Sequence, residues 1–99
     1  MVQPPAAIEL RHLRYFLAVM DELHFGRAAE RIHIAQPPLS QAIRRLEDEL
    51  GVQLLHRTSR VVTPTEAGRV FAAGARKVLA GLDSAVADTR RAGGASEAL

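Results

Sequence analysis

FGRAAERIHIAQPPLSQAIRRLEDELGVQLLHRTSR, residues Phe25 to Arg60, is the stretch from which the fold follows. It divides into a short helix, a tight turn, a longer helix that opens polar, and a β-prone segment tipped with arginine. The short helix spans about Arg27 to Ile32, with Gly26 at its N-cap, a position that tolerates glycine. Ala28 and Ala29 carry only methyl groups and let a neighbouring helix come close. Ile32 is the core anchor. His33 falls at the turn. It reads as a helix-terminating residue in a left-handed backbone, with a phosphate contact as the alternative.

The longer helix spans Gln36 to Leu50, and Gly51 stands just beyond it as a C-terminal stop. Pro37 and Pro38 fit only in the first turn, where a missing N–H costs little. Leu39, Ile43, Leu46 and Leu50 make the buried stripe. Gln36, Ser40, Gln41 and Arg44 lie on its other side. Glutamine can pair with adenine, arginine with guanine or phosphate, and serine with either kind of acceptor, while the prolines can touch a thymine methyl. An ordinary solvated helix face is the alternative. Val52 to Leu55 and Val61 to Thr63 then flank a polar tip, giving a small hairpin or wing over 54–63. Arg57 and Arg60 in that hairpin can meet a nucleic-acid backbone or minor groove, or serve as solvated turn charges.

Outward from this stretch, Leu10, Leu13, Phe16, Leu17, Met20 and Leu23 recur at helical spacing and predict a first helix over about Glu9 to Glu22. Thr63-Pro64-Thr65-Glu66 announces the last helix, with Thr63 and Glu66 at capping-box spacing and Thr65 as the other possible cap. That helix extends to about Arg91. Ala67, Val70, Phe71, Gly74, Val78, Leu82, Ala85 and Val86 are expected to line one seam. It is long for a domain of this size, so an identical helix from a second chain is the simplest partner for its outer half. A helix folded back onto its own core is the other arrangement. Residues 1–7, with Pro4 and Pro5, read as a flexible leader, and 93–99, with Gly93, Gly94 and Ser96, as a flexible hinge.

The bulk numbers fit one small helical domain. The chain has 99 residues, 47% of them hydrophobic and 4% aromatic, with no cysteine. A disulfide scaffold and thiolate metal sites are thereby excluded. No apolar run is long enough to span a bilayer, and 1–8 lacks the pattern of a signal peptide, so a cytoplasmic protein with no membrane partner is expected. Net charge is only +2. Its distribution says more: Arg31 to Leu46 and Leu50 to Thr65 contain no acidic residue, yet they hold Arg31, Arg44, Arg45, Arg57 and Arg60. A polyanion is drawn to such a surface, although chance clustering gives the same pattern. There is no glycine-rich phosphate loop and no paired histidines at zinc-helix spacing, and His12, His24, His33 and His56 sit on separate elements. No enzyme, cofactor or metal site is expected.

The segments LRHLRYFLAV, FGRAAERIHIAQPPLSQAIRRLEDELGVQLLHR and TPTEAG, in this order and spacing, resemble the N-terminal DNA-binding domain of LysR-type transcriptional regulators. They cover most of Leu10 to Gly68. The resemblance implies a mainly α fold, a winged helix-turn-helix over 8–65 with the helix-turn-helix proper at 25–44, then a linker helix over 66–92 that dimerises antiparallel with its mate. Gln36, Pro37, Pro38, Ser40 and Gln41 match family positions facing the groove, and Arg57 and Arg60 match the wing. Phe71, Gly74, Val78, Leu82 and Ala85 would lie in the dimer seam. The implied partner is double-stranded DNA carrying an interrupted inverted repeat, bound by a homodimer, with higher assembly in an intact regulator. The family's larger effector-sensing C-terminal domain has no counterpart in this sequence, and Gly93-Gly94 reads as the hinge toward it. Any small-molecule effector would act through that domain. IAQPPLS also occurs in members that regulate breakdown of aromatic compounds. Three positions depart from the family pattern. Gly26 replaces a usual serine or threonine, which removes a cap. Ala35 replaces a frequent serine or threonine, and Gln41 stands where arginine is frequent. A winged helix used for protein–protein interaction is the rival reading.

Overall fold

The computed structural model describes residues 8–94, so the leader at 1–7 and the end of the hinge at 95–99 lie outside the described residues. The element order is α1 (Leu10–Glu22), α2 (Phe25–Arg31), α3 (Gln36–Leu50), β1 (Leu55–Arg57), β2 (Val62–Pro64) and α4 (Glu66–Ala92). This is a three-helix core with a two-stranded wing and a long trailing helix, as the hydrophobic periodicity predicts.

α1 begins where the backbone N–H of Glu9 donates to His12 Nδ1 at 3.0 Å, a local bond that holds the buried imidazole against the first turn. It ends at Leu23, whose left-handed backbone (φ 51°) returns its N–H to the carbonyl of Val19. α2 differs from the sequence expectation. It starts at Phe25, and its N-cap is His24, whose Nδ1 accepts from the N–H of Arg27 at 2.9 Å. Gly26 is therefore inside the first turn and is not the cap. Its lack of a side chain has a use, because a Cβ there would stand 2.9 Å from His24 Cε1. The cap that Gly26 cannot provide is supplied from two residues earlier. His33 then adopts φ 60° in the turn to α3, the backbone role read for it from sequence.

α3 has the predicted bounds, with Ala35 at its N-cap making no side-chain bond and Gly51 closing it at φ 72°. Leu39, Ile43 and Leu46 enter the core with Phe16, Val19, Leu54 and Leu55, the largest fully buried side chains. The strands pair antiparallel with Leu55 opposite Pro64, His56 opposite Thr63 and Arg57 opposite Val62. Pro64 is thus the last residue of the wing and not the first of α4, and Thr63 faces a strand partner, so the Thr63–Glu66 capping box does not form. Thr65 caps instead: its hydroxyl oxygen accepts from the N–H of Gly68 at 2.9 Å and donates to the carbonyl of Gln53 at 2.7 Å.

α4 presses on this unit through Gly68, Ala72 and Ala75, all buried. A Cβ on Gly68 would lie 2.1 Å from the carbonyl oxygen of Leu54, so only glycine lets the helix start this close to the wing. Phe71 packs edge-on against Phe16 with ring centroids 5.6 Å apart, a favoured aromatic geometry. The expected single seam on α4 is really two neighbouring faces. Gly68, Ala72, Ala75 and Leu79 meet the core, whereas Gly74, Val78 and Ala85, spaced four and seven apart on the adjoining face, are exposed. Arg76 reaches from α4 to Asp21 at 2.8 Å, and Arg31 reaches the same carboxylate from α2 at 3.1 Å. The hydrogen bond from Arg76 holds the Asp21 carboxyl below its ordinary value, partial burial opposes it, and Arg31 adds to the lowering.

Candidate nucleic-acid interface

α3 sits across the core with one face fully occupied by Leu39, Ile43 and Leu46. Residues three and four apart share a helix face, so Pro37, Gln41 and Arg44 line up opposite that buried stripe, and all three are exposed. Gln36 and Pro38 are exposed on either side of this row, and Ser40 is half-buried. Side chains with hydrogen-bond donors and acceptors therefore project from the first two turns, and no acid stands among them. Acids enter only at Glu47, Asp48 and Glu49 in the last turns. Gln41 and Arg44 thus form the outermost row of the helix, with fixed spacing and free polar ends.

The wing is fastened to this helix by Glu47. One of its carboxylate oxygens accepts from the N–H groups of Leu54 and Leu55 at 2.8 and 3.3 Å, and the other accepts from Arg57 Nη2 at 2.9 Å. The pair is largely withdrawn from solvent, with 14% of the Glu47 side chain and 23% of the Arg57 side chain exposed. The Arg57 guanidinium also lies over the ring of Phe25, 5.2 Å from its centroid, within cation–π range. Its buried Nε has no hydrogen-bond partner among the described residues, which the ring face below partly offsets. Arg57, expected at the outer surface, is therefore engaged with α2 and α3. It joins three elements.

Arg60 is placed differently. The tip is closed by Thr58, whose N–H donates to the carbonyl of Val61 at 2.9 Å while its hydroxyl oxygen accepts from the N–H of Val61 at 3.0 Å. Arg60 stands exposed in that turn and has no ion pair among the described residues. Of the residues singled out on α4, Gly74, Val78 and Ala85 are exposed, Leu82 is half-buried, and Phe71 is half-buried against Phe16. Glu47 was not singled out from sequence. The signal available was its spacing of four from Ile43, which places it at the margin of the buried stripe, where a carboxylate needs partners.

Among the described residues no group of three or more His, Asp or Glu is arranged to hold a metal ion. No helix of the structure is long and apolar enough to cross a membrane.

Comparison with known proteins gives a consistent picture. The family described as "Bacterial regulatory helix-turn-helix protein, lysR family" matches residues 10–69. The uncharacterized HTH-type transcriptional regulator YnfL of Escherichia coli is 57% identical over 84 residues, covering 85% of this chain and 28% of that protein. The chain thus spans little more than a quarter of the length of that curated relative. Among solved structures, the BenM DNA-binding domain in complex with catB site 1 DNA superposes with a TM-score of 0.81 at 52% identity, covering 85% of this chain and 93% of that one. BenM as a curated relative comes from Acinetobacter baylyi. The CbnR DNA-binding domain in complex with DNA gives a TM-score of 0.78 at 40% identity, covering 87% and 98%.

Proposed function

The chain belongs to the lysR family of bacterial regulatory helix-turn-helix proteins, and from that premise we propose that it binds double-stranded DNA sequence-specifically as the DNA-binding domain of a cytoplasmic transcriptional regulator. It docks as a homodimer on an interrupted inverted repeat. The observation that carries this reading is α3: its core stripe is fully buried while Pro37, Gln41 and Arg44 project from the opposite face, acid-free over their whole length. That face is shaped to enter a major groove. The likeness to two domains crystallised with DNA supports the same docking.

In this arrangement Gln36, Pro37, Pro38, Ser40 and Gln41 meet base edges and the thymine methyl, and Arg44 and Arg60 meet phosphates. Arg57 contributes by holding the wing at a fixed height above α3. Gly74, Val78, Leu82 and Ala85 of α4 line the seam with a second copy, and Phe71 supports that seam from inside its own protomer. In a longer regulator of this family, effector sensing and higher assembly would reside outside this domain.

Binding to a short duplex bearing an interrupted inverted repeat, followed by fluorescence anisotropy across a salt series, tests the reading. Log affinity should fall steeply with log salt, at about 0.9 per phosphate contacted, and scrambled sequence should bind more weakly. Arg60→Ala should reduce the slope by about one unit at unchanged base preference. Gln36→Ala should erode that preference by about 1–3 kcal/mol. A flat response blind to sequence would transfer the arginine-rich surface to an acidic protein partner.

A further inference from the structure

Between α1 and α3 runs an open cleft of about 480 Å³ whose walls include Arg11 and Tyr15 from α1, and Gln41, Arg44, Arg45 and Asp48 from α3. Three arginines line it, and Asp48 is the one acidic residue among its walls. Arg44 and Arg45 form no ion pair among the described residues, and Arg11 has only a loose contact with Glu9 at 3.5 Å, with both side chains more than half exposed. Such an exposed pair contributes little and is easily exchanged for another anion. Arg11 and Tyr15 are one turn apart and so present a guanidinium and a phenol O–H side by side from α1. Across the cleft, Pro38, Gln41 and Arg45 follow one another along the α1-facing edge of α3.

We propose that this cleft is a seat for a DNA backbone phosphate, with Arg11, Tyr15 and Arg45 as members of the interface that neither the recognition row nor the wing includes. The inference deepens the DNA-binding reading and rests on it. Two features of the site favour a backbone phosphate as occupant. First, the cleft is continuous with the groove-facing row, because Gln41 and Arg44 belong to both. A strand whose bases meet Gln41 must carry its phosphates past the flank of α3. Second, the charge is concentrated where Gln41 supplies none. Gln41 is a neutral side chain at the centre of the exposed row, and the guanidiniums of Arg44 and Arg45 compensate from the following turn, with Arg11 opposite them. Tyr15, with a phenol that can donate to a non-bridging oxygen, adds a directed bond to this charge. The three side chains together place donors on both walls of a slot open to solvent. Such an arrangement fixes the register of a backbone without reading bases.

The test uses the full chain on the inverted-repeat duplex. Arg11→Gln and Arg45→Gln are exposed substitutions and leave the core intact, which a thermal melt of each variant verifies. Each should lower the slope of log affinity against log salt by about one unit, with the ratio of affinities for specific and scrambled duplex unchanged. Arg45→Lys should restore the slope, since a compact cation still neutralises a phosphate. Tyr15→Phe should weaken binding severalfold at constant slope, because it removes a donor and no charge. Wild-type slopes in both arginine variants, with wild-type DNA binding intact, would overturn the seat and leave the DNA-binding reading standing. If wild-type protein itself shows no salt-dependent binding, the parent reading fails and the seat falls with it. Millimolar inorganic phosphate should compete no better than an equal ionic strength of chloride; selective competition would instead identify a pocket for a free anion.

Discussion

The Glu47 carboxylate accepts three hydrogen bonds, two from backbone N–H groups entering the wing and one from Arg57. Each of those donors would be left in a partly buried place without it. Glu47→Ala is therefore expected to lower unfolding free energy by about 3 kcal/mol, as the removal of one partner of a largely buried pair does, and urea denaturation measures it. Glu47→Gln should recover part of the loss because its amide oxygen still accepts. A variant with wild-type stability would show that the wing holds itself. Arg57 was legible as a hairpin arginine but not as an internal one. Its direction depends on Phe25 and Glu47, which are 32 and 10 positions away in the chain. His24 shows the same limit on a smaller scale: the imidazole caps α2 because Gly26 leaves room for the ring.

Helices α1 and α3 follow their hydrophobic periods closely, and α3 has the ends that Gly51 and the two prolines dictate, whereas α2 begins at Phe25, two residues before the start its sequence suggests. α4 is where local pattern and packing part. Its start is set by a near-contact of Gly68 with the Leu54 carbonyl. Gly68→Ala must push helix and wing apart, and a loss of about 2–3 kcal/mol is expected from such overpacking, read as a lowered thermal midpoint. The same helix is tied to α1 by Arg76 and Asp21. Because the Asp21 carboxyl is held below its ordinary value in the folded protein, its contribution is present above the unfolded value and is lost as pH falls through the folded one. Chemical denaturation from neutral pH into the acid range should show wild type losing stability more steeply than Asp21→Asn, with the two curves converging at the acid end. Parallel curves would show that the ion pair contributes nothing to folding.

Taken together, the domain is a compact unit from α1 to the wing, with α4 reaching roughly 40 Å at the usual rise per residue. Val78, 51% exposed on its outer side, leaves apolar surface in water beside Gly74 and Ala85, a condition that a second copy relieves. Val78→Glu is expected to convert dimer to monomer in sedimentation while leaving the helical circular dichroism unchanged. Phe71→Glu is a poorer probe, since Phe71 packs on Phe16 and its charge would disturb the monomer core. A Val78→Glu protein that sediments as a dimer would move the interface elsewhere.

The order of elements, the bounds of α3, the buried stripe on it and the acid-free windows were all contained in the chain's own pattern. Those features depend on contacts three or four residues apart and on the conformational limits of proline and glycine, which act locally. Three other features came from packing between elements distant in sequence. The inward turn of Arg57, the division of α4 into a core face and an outer face, and the arginine-lined cleft between α1 and α3 all depend on which helix lies beside which. Helical period locates a stripe on each helix but says nothing of the angle at which two helices cross. The partner of a long charged side chain is chosen only once those angles are set.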